Sequence, residues 1–357
     1  MSIKVLICDD SAATRLLLRR MIDAQPDMTV VGMAADALEA REMIKTLNPD
    51  VLTLDVHMPR MNGLDFLERL MRLRPMPVVM ISAFTGQASE AAIKALALGA
   101  VEVCGKPDGR DPAALAAYAD DVCDRIRAAR AAHVRRHPPP PVRPAGVATP
   151  SAGAGGAPGR IICIGASTGG TEAIREVLVR LPRHCPPVLI VQHMPEMFTG
   201  AFAKRLDSVS QIRVKEAEHG ERIEPGCAYL APGHSHLLLK RRAVAYHCEL
   251  SGAGPVNRHR PSVDVLFHSA AEQAGKAALG VLLTGMGKDG AQGLLAMRRS
   301  GAWTIGQDQA SCVVYGMPRE AAVIGAVSEV APLKDIAQRI MNRLSGSVAD
   351  GAMAQDA

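Results

Sequence analysis

No stretch of this chain approaches the ~18–20 consecutive apolar residues that a membrane span requires. The longest apolar runs, such as Val188–Val191, have the length of strands. The N-terminus offers only a short apolar run before Asp9 and Asp10, too little for the apolar centre of a secretory signal. Eight cysteines are present, at 8, 104, 123, 163, 185, 227, 248 and 312, yet no two form a C-x-x-C pair. Cys8, Cys104 and Cys163 lie inside apolar runs, so they read as small buried hydrophobes in a reducing compartment, not as a zinc or disulfide framework. There is no dense Lys/Arg stripe, no helix-turn-helix signal and no internal repeat. These absences argue against membrane insertion and nucleic-acid binding, and the expected location is the cytoplasm.

Charge is unevenly spread. Residues 1–130 carry 16 basic and 18 acidic side chains, whereas 160–345 carry 22 and 16, so the second half favours an acidic protein partner. A chain of 357 residues is also long for one core, and its pattern divides accordingly. Within 1–130, strand candidates Ile3–Cys8, Met28–Met33, 50–55, 77–81 and 101–104 alternate with helical spacing, as in 64–73 and 88–98. Such βα repetition predicts a (βα)5 unit with a parallel sheet covered on both faces. Residues 131–159 contain four consecutive prolines and then little but Ala, Gly, Pro, Ser and Thr, the composition of a tether. The pattern restarts at Arg160. Strand candidates at 161–164, 188–192, 228–231, 279–283 and 303–307 predict a second α/β unit over 160–345, doubly wound and mainly parallel. An antiparallel portion is expected around 228–250, and a disordered tail over 346–357.

In an open parallel sheet, residues at the carboxyl ends of strands converge on one crevice. Asp9 and Asp10 end the first strand candidate, Asp55 ends the third, Ser82 follows the fourth, and Lys106 follows the fifth. Three converging carboxylates repel one another unless a cation sits among them, and Mg²⁺ suits an all-oxygen site. Together with Lys106 it would neutralise a phosphoryl group arriving on one carboxylate. Taken singly, Asp9 and Asp10 read equally as helix caps and Lys106 as a solvated loop residue. The grouping over several strand ends favours a site. The segment resembles the response-regulator receiver family through Asp9, Asp10, Asp55, Met58, Pro59, Gly63, Ser82, Lys106 and Pro107. The resemblance implies phosphorylation of Asp55, a Mg²⁺ site at Asp9, Asp10 and Asp55, and sensing of the phosphoryl group by Ser82 and Lys106. Receivers commonly carry an aromatic three residues before the lysine; Val103 stands there instead, and His57 is a further departure.

The run from Ile161 to Gly170 is an apolar strand entering a Gly-x-Ser-x-Gly turn and then a helix. Such a turn lifts a serine hydroxyl from the surface and aims a helix N-terminus at nearby negative charge. A glycine-rich turn before a helix binds phosphate equally well, so the motif alone leaves both readings open. His193 follows the strand 188–192, and Asp289 follows the strand 279–283, again at carboxyl ends. A serine needs a base, histidine titrates near neutrality, and a carboxylate can orient the imidazole. The order Ser…His…Asp differs from the Ser…Asp…His order of α/β-hydrolases. Against this, a lone histidine is often structural and Asp289 could cap the next helix. His234 and His236 suggest a metal only if a third ligand exists.

This half resembles the chemotaxis protein-glutamate methylesterases, through Gly165–Ile174, Gln192–Pro195, Ala231–Gly233, Arg260–Phe267, Leu283–Gly290 and Gly316–Glu320. The resemblance implies hydrolysis of glutamate γ-methyl esters, with glutamine deamidation in some relatives. It assigns Ser167 as nucleophile, His193 as general base and acid, Asp289 as its orienting carboxylate, and Thr168 and Met286 to the oxyanion hole. It implies methyl-accepting chemoreceptors as substrate, a chemotaxis histidine kinase as phosphodonor, and no cofactor in the catalytic half. The receiver is then expected to obstruct catalysis until Asp55 is phosphorylated. A binding module that grips a receptor or nucleotide without chemistry is the rival reading.

Overall fold

In the computed structural model, residues 2–82, 86–106, 112–134 and 159–352 are described, and the chain divides into two compact units, Met1–Pro141 and Val142–Ala357. In the first, β1 (Ile3–Cys8), β2 (Met28–Ala34), β3 (Val51–Asp55), β4 (Val78–Ser82) and β5 (Glu102–Gly105) form one sheet in the order β2-β1-β3-β4-β5. Every pairing is parallel. β3 and β4 are buried along their whole length, as an apolar strand covered on both faces must be. Five helices link or follow these strands, and three have side-chain caps that fix where they begin: Ser11 accepts from the Thr14 N–H, Asp36 from Leu38 and Glu39, and Asn62 from Asp65. The strand order reverses at β1, so the crevice lies beyond the carboxyl ends of β1 and β3.

The second unit has a seven-stranded sheet, all parallel, built from β6 (Ile161–Ala166), β7 (Val188–Gln192), β8 (Arg213–Glu216), β9 (Cys227–Leu230), β12 (Ala278–Leu282), β13 (Trp303–Gln307) and β14 (Glu329–Ala331). Its order is β14-β13-β12-β6-β7-β9-β8, which places β6 at the centre with β7 and β12 beside it. The antiparallel portion is a separate hairpin of β10 (His236–Arg242) and β11 (Ala245–Ser251). The expectation of antiparallel pairing from 228 is therefore corrected: Cys227–Leu230 pairs in parallel with β7 and β8. The helix Val263–Ala274 packs against β10, and Val263, Leu266, Phe267 and Ala270 enter the core there.

All eight cysteines are free and buried. No helix among the described residues is long and apolar enough to cross a membrane. The helix Pro112–Ala131 extends to the first residue of the expected tether, most of which, 135–158, lies outside the described residues. The last helix runs from Leu333 to Ala352, into the expected tail of 346–357, and 353–357 lie outside the described residues.

Candidate active sites

In the first unit the carboxyl end of β1 delivers Asp9 and Asp10, and that of β3 delivers Asp55. Asp9 and Asp55 are buried and Asp10 is exposed. One oxygen from each of the three lies within 4.8 Å of the others. Lys106 Nζ stands 2.8 Å from Asp9 Oδ2 and 2.8 Å from Asp55 Oδ2. Burial, aided by the charge of Asp9, pushes the Asp55 carboxyl above its ordinary pKa against the Lys106 hydrogen bond. Burial disfavours the Lys106 ammonium, but its bonds to Asp55 and Asp9 outweigh that and raise its pKa. Ser82 Oγ is buried without a hydrogen-bond partner among the described residues. An unsatisfied hydroxyl is costly unless something else arrives to bond it. The oxygen-only donor set fits a hard divalent cation such as Mg²⁺, and the idle Ser82 hydroxyl fits an incoming anionic oxygen. Val103 is buried and His57 exposed. Pro107, one of the residues carrying the receiver resemblance, lies outside the described residues.

In the second unit Ser167 sits in the turn between β6 and the helix Gly170–Leu178. The turn is closed by Gly170 N–H donating to the Ser167 carbonyl at 2.6 Å. The Gln192 side-chain amide also donates to that carbonyl, at 2.9 Å. Gly169 has φ +75°, and a Cβ there would lie 2.5 Å from Val313 Cβ, so only glycine fits. Gly285 is required for a different reason: a Cβ would come within 2.8 Å of Ser167 Cβ.

His193 leaves the end of β7, its N–H bonded to the Ala166 carbonyl. Its ring connects the other two residues. Nδ1 lies 3.1 Å from Ser167 Oγ and Nε2 lies 2.8 Å from Asp289 Oδ2. A carboxylate only accepts, so Nε2 carries the proton and Nδ1 is free to accept from the serine hydroxyl. The ring therefore offers Nδ1 to the serine, the reverse of the arrangement in chymotrypsin-like enzymes.

Asp289 is buried and heavily bonded. Oδ2 also accepts from Val263 N–H at 2.6 Å, while Oδ1 accepts from Asn257 Nδ2 at 2.7 Å, Ser262 Oγ at 2.8 Å and Asp264 N–H at 3.3 Å. Burial alone would raise its pKa, but the hydrogen bonds from His193, Asn257 and Ser262 and the attraction of His193 outweigh burial and hold it far below the carboxylate range. These partners replace the helix-cap reading of Asp289. Asp264 is pushed the other way, chiefly by burial and also by the charge of Asp289. It accepts from Gly293 N–H and from the same Asn257 amide, both at 2.7 Å.

Thr168 is buried and Met286 partly exposed; the N–H groups of both take no part in the hydrogen bonds of the described residues. His234 and His236 do not form a metal pair. His236 Nδ1 accepts from Ser262 N–H at 3.1 Å, its Nε2 bonds the Gly254 carbonyl at 3.0 Å, and His234 Nδ1 faces Ser235 Oγ. Asn257, His259, Ser262 and Asp264 all lie at this site without having been singled out from the sequence, and Gln192 was named only as the start of the motif Gln192–Pro195. Ser262 and Asp264 lay inside the motif Arg260–Phe267, which could have pointed to them.

Fold and site together define a class: a parallel-sheet unit with a serine, a histidine and an aspartate in hydrogen-bond register, joined to a receiver-like unit with an acidic crevice. Residues 162–340 match the family described as CheB methylesterase, and residues 5–117 match the response regulator receiver domain. The chain belongs to the CheB methylesterase family of carboxyl-ester hydrolases and carries an N-terminal receiver domain. A protein-glutamate methylesterase/protein-glutamine glutaminase of Dechloromonas aromatica is 58% identical over 344 residues, covering 96% of this chain and 98% of the relative. One from Nitrosomonas europaea is 58% identical over 355 residues, 97% of each chain. Among solved structures, the CheB methylesterase catalytic domain of Thermotoga maritima matches with TM-score 0.51 and 40% identity, over 52% of this chain and 98% of that one.

Proposed function

We propose that this protein hydrolyses glutamate γ-methyl esters on methyl-accepting chemotaxis receptors, releasing methanol and free glutamate, under control of Asp55 phosphorylation. The observation that carries the chemistry is the continuous contact from Ser167 Oγ through His193 to Asp289, 3.1 Å and 2.8 Å long.

Ser167 Oγ attacks the ester carbonyl while its proton passes to His193 Nδ1. The resulting imidazolium faces the ionised Asp289, which holds the tautomer and stabilises the cation. The oxyanion accepts hydrogen bonds from the backbone N–H groups of Thr168 and Met286; one such donor is typically worth ~3–4 kcal/mol. When the C–O bond breaks, His193 returns its proton to the departing methoxide. Water then repeats the sequence on the acyl-enzyme: His193 takes its proton, the new oxyanion collapses, and Ser167 recovers its hydrogen. The same attack on a glutamine amide would release ammonia, giving the deamidation that the relatives' names carry.

In the receiver domain, Asp55 takes the phosphoryl group from a chemotaxis histidine kinase or a small phosphodonor. Mg²⁺, when held by Asp9, Asp10 and Asp55, supplies neutralisation of the crowded oxygens. Lys106 stays cationic and pairs with the phosphoryl oxygens, and Ser82 donates its idle hydroxyl to them. The receiver lowers the ester-hydrolysis rate until this happens, and the tether keeps that control within one molecule. The reaction belongs in the cytoplasm, where the kinase and the receptor tails meet.

Purified protein should release methanol from methylated receptor, and faster with a small phosphodonor and Mg²⁺. Absence of methanol under both conditions refutes the esterase reading. A fragment comprising 159–357 should exceed the rate of the unphosphorylated whole, and equality of the two rates refutes the control by the receiver.

A further inference from the structure

Two hydrogen bonds hold the His193 ring, one at each nitrogen. They fix where Nδ1 and Nε2 point but leave the ring able to rock about the line joining Ser167 Oγ to Asp289 Oδ2. One face of the ring is covered. His259 lies flat against it, with ring centroids 3.7 Å apart and planes 14° from parallel.

The backbone goes to some length to present that ring. Val256 and His259 exchange both main-chain hydrogen bonds, at 3.0 and 2.9 Å, closing a two-residue turn. The two central residues, Asn257 at φ 53° and Arg258 at φ 68°, are both left-handed, as in a type I′ turn. Asparagine suits the first place, but the second ordinarily takes glycine and here holds arginine. Strain of this kind persists where surrounding structure holds it, and it concentrates at functional sites. The holding is visible: buried His236 bonds the Gly254 carbonyl on one side of the turn and the Ser262 N–H on the other. The turn delivers two groups to the site, the Asn257 amide to Asp289 and the His259 ring to His193.

We propose that His259 is a positioning residue for His193: a flat ring against its face suppresses the rocking that one hydrogen bond at each ring nitrogen allows. His193 receives and returns a proton twice per turnover, so each departure of the ring from the Ser167–Asp289 plane slows every step. Misplacement of a reacting group by a fraction of an ångström to an ångström is worth up to about a hundredfold in rate. The proposal rests on the roles given to Ser167, His193 and Asp289 above.

The test compares His259→Ala, His259→Leu and His259→Phe in the full chain, with two measurements. The first is kcat and KM for methyl-ester hydrolysis. The second, independent of turnover, is the downfield proton NMR resonance of His193 Nε2–H, bonded to Asp289. Expected are a loss of about tenfold in kcat for Ala and Leu with KM within about twofold, and recovery to within about threefold for Phe, which restores a flat face. The resonance should be sharp in wild type and Phe and broadened in Ala and Leu. Leu and Phe fill the site comparably, so this pair decides even if Ala fails to fold. The proposal is overturned if Leu works as well as Phe, if the loss falls in KM, or if the resonance is equally sharp in all variants. Should wild type release no methanol, the esterase reading fails by itself, and the resonance series still decides whether His259 orders the ring.

Discussion

The two domains each gather reactive side chains at the carboxyl ends of a parallel sheet, yet they hold them by different means. In the receiver, Asp9 and Asp55 come directly from strand ends, and one lysine bridges them at 2.8 Å. Charge attraction has a broad optimum, so strand ends and a salt bridge suffice. In the catalytic domain, Ser167 and His193 also come from strand ends, but Asp289 is fixed by five donors from four further residues and His193. A proton relay depends on angle as well as distance, and loops supply the extra constraints. The receiver site should therefore tolerate side-chain changes outside its charges, whereas the catalytic site should be sensitive to residues that never touch substrate.

The largest expected effect separates the two sites outright. Ser167→Ala should lower methanol release by on the order of 10⁴–10⁶-fold, while Asp55 still takes up phosphate from a small phosphodonor. Loss of both activities together would show that the two sites are not independent. Next in size, Asp289→Asn should cost on the order of 10⁴-fold, because an amide can favour the wrong imidazole tautomer. Its pH behaviour sharpens the point. The folded-state pKa of Asp289 is depressed, so its ionisation stabilises the fold fully above the ordinary carboxylate range and loses that contribution only as pH falls towards the lower folded value. Urea unfolding of the catalytic fragment between pH ~5 and ~2 should therefore show a steeper loss for wild type than for Asp289→Asn. Equal slopes would remove the ionised carboxylate from the argument.

The comparison also explains what was legible in the sequence. Asp9, Asp55, Ser82, Lys106, Ser167 and His193 were readable because each follows an apolar strand, and strand ends converge by topology alone. β8 and β14 were not readable: RVKE and EVA are short edge segments whose polar residues mask any alternation. Asn257 and His259 were not readable because their roles come from a left-handed turn in which Arg258 stands where the glycine that would mark it is expected. The choice of ring nitrogen facing Ser167 depends on where Asp289 approaches, which is settled only by the folded chain.

Asn257→Ala should reduce kcat by about tenfold, since it strips one donor from Asp289 and one from Asp264, and an unmet buried charge is costly. The matching change in the receiver, Asp55→Asn, should eliminate the response of methanol release to phosphodonor. A rate for Asn257→Ala equal to wild type would place the orienting duty on Ser262 and the Val263 N–H alone.

The smallest effect contrasts two turns in the catalytic domain. Ala243 has φ 53° in the two-residue turn between β10 and β11, where the first central position ordinarily selects glycine, and its side chain is exposed. Arg258 is equally left-handed, at φ 68°, but lies in the turn that carries Asn257 and His259. Glycine at either place relieves about 1 kcal/mol of backbone strain while loosening the unfolded chain, leaving a net gain of a few tenths to ~1 kcal/mol. Ala243→Gly should thus raise the melting temperature by roughly 1–4 °C with kcat within about 1.5-fold of wild type. Arg258→Gly also removes an interaction of the arginine side chain, so its gain in stability should be smaller, and kcat should fall by about two- to fivefold, because a freer turn holds the His259 ring less firmly against His193. If Arg258→Gly is as fast as Ala243→Gly, rigidity of that turn plays no part in catalysis, and the contrast between the two domains narrows to the direct contacts of Asp289.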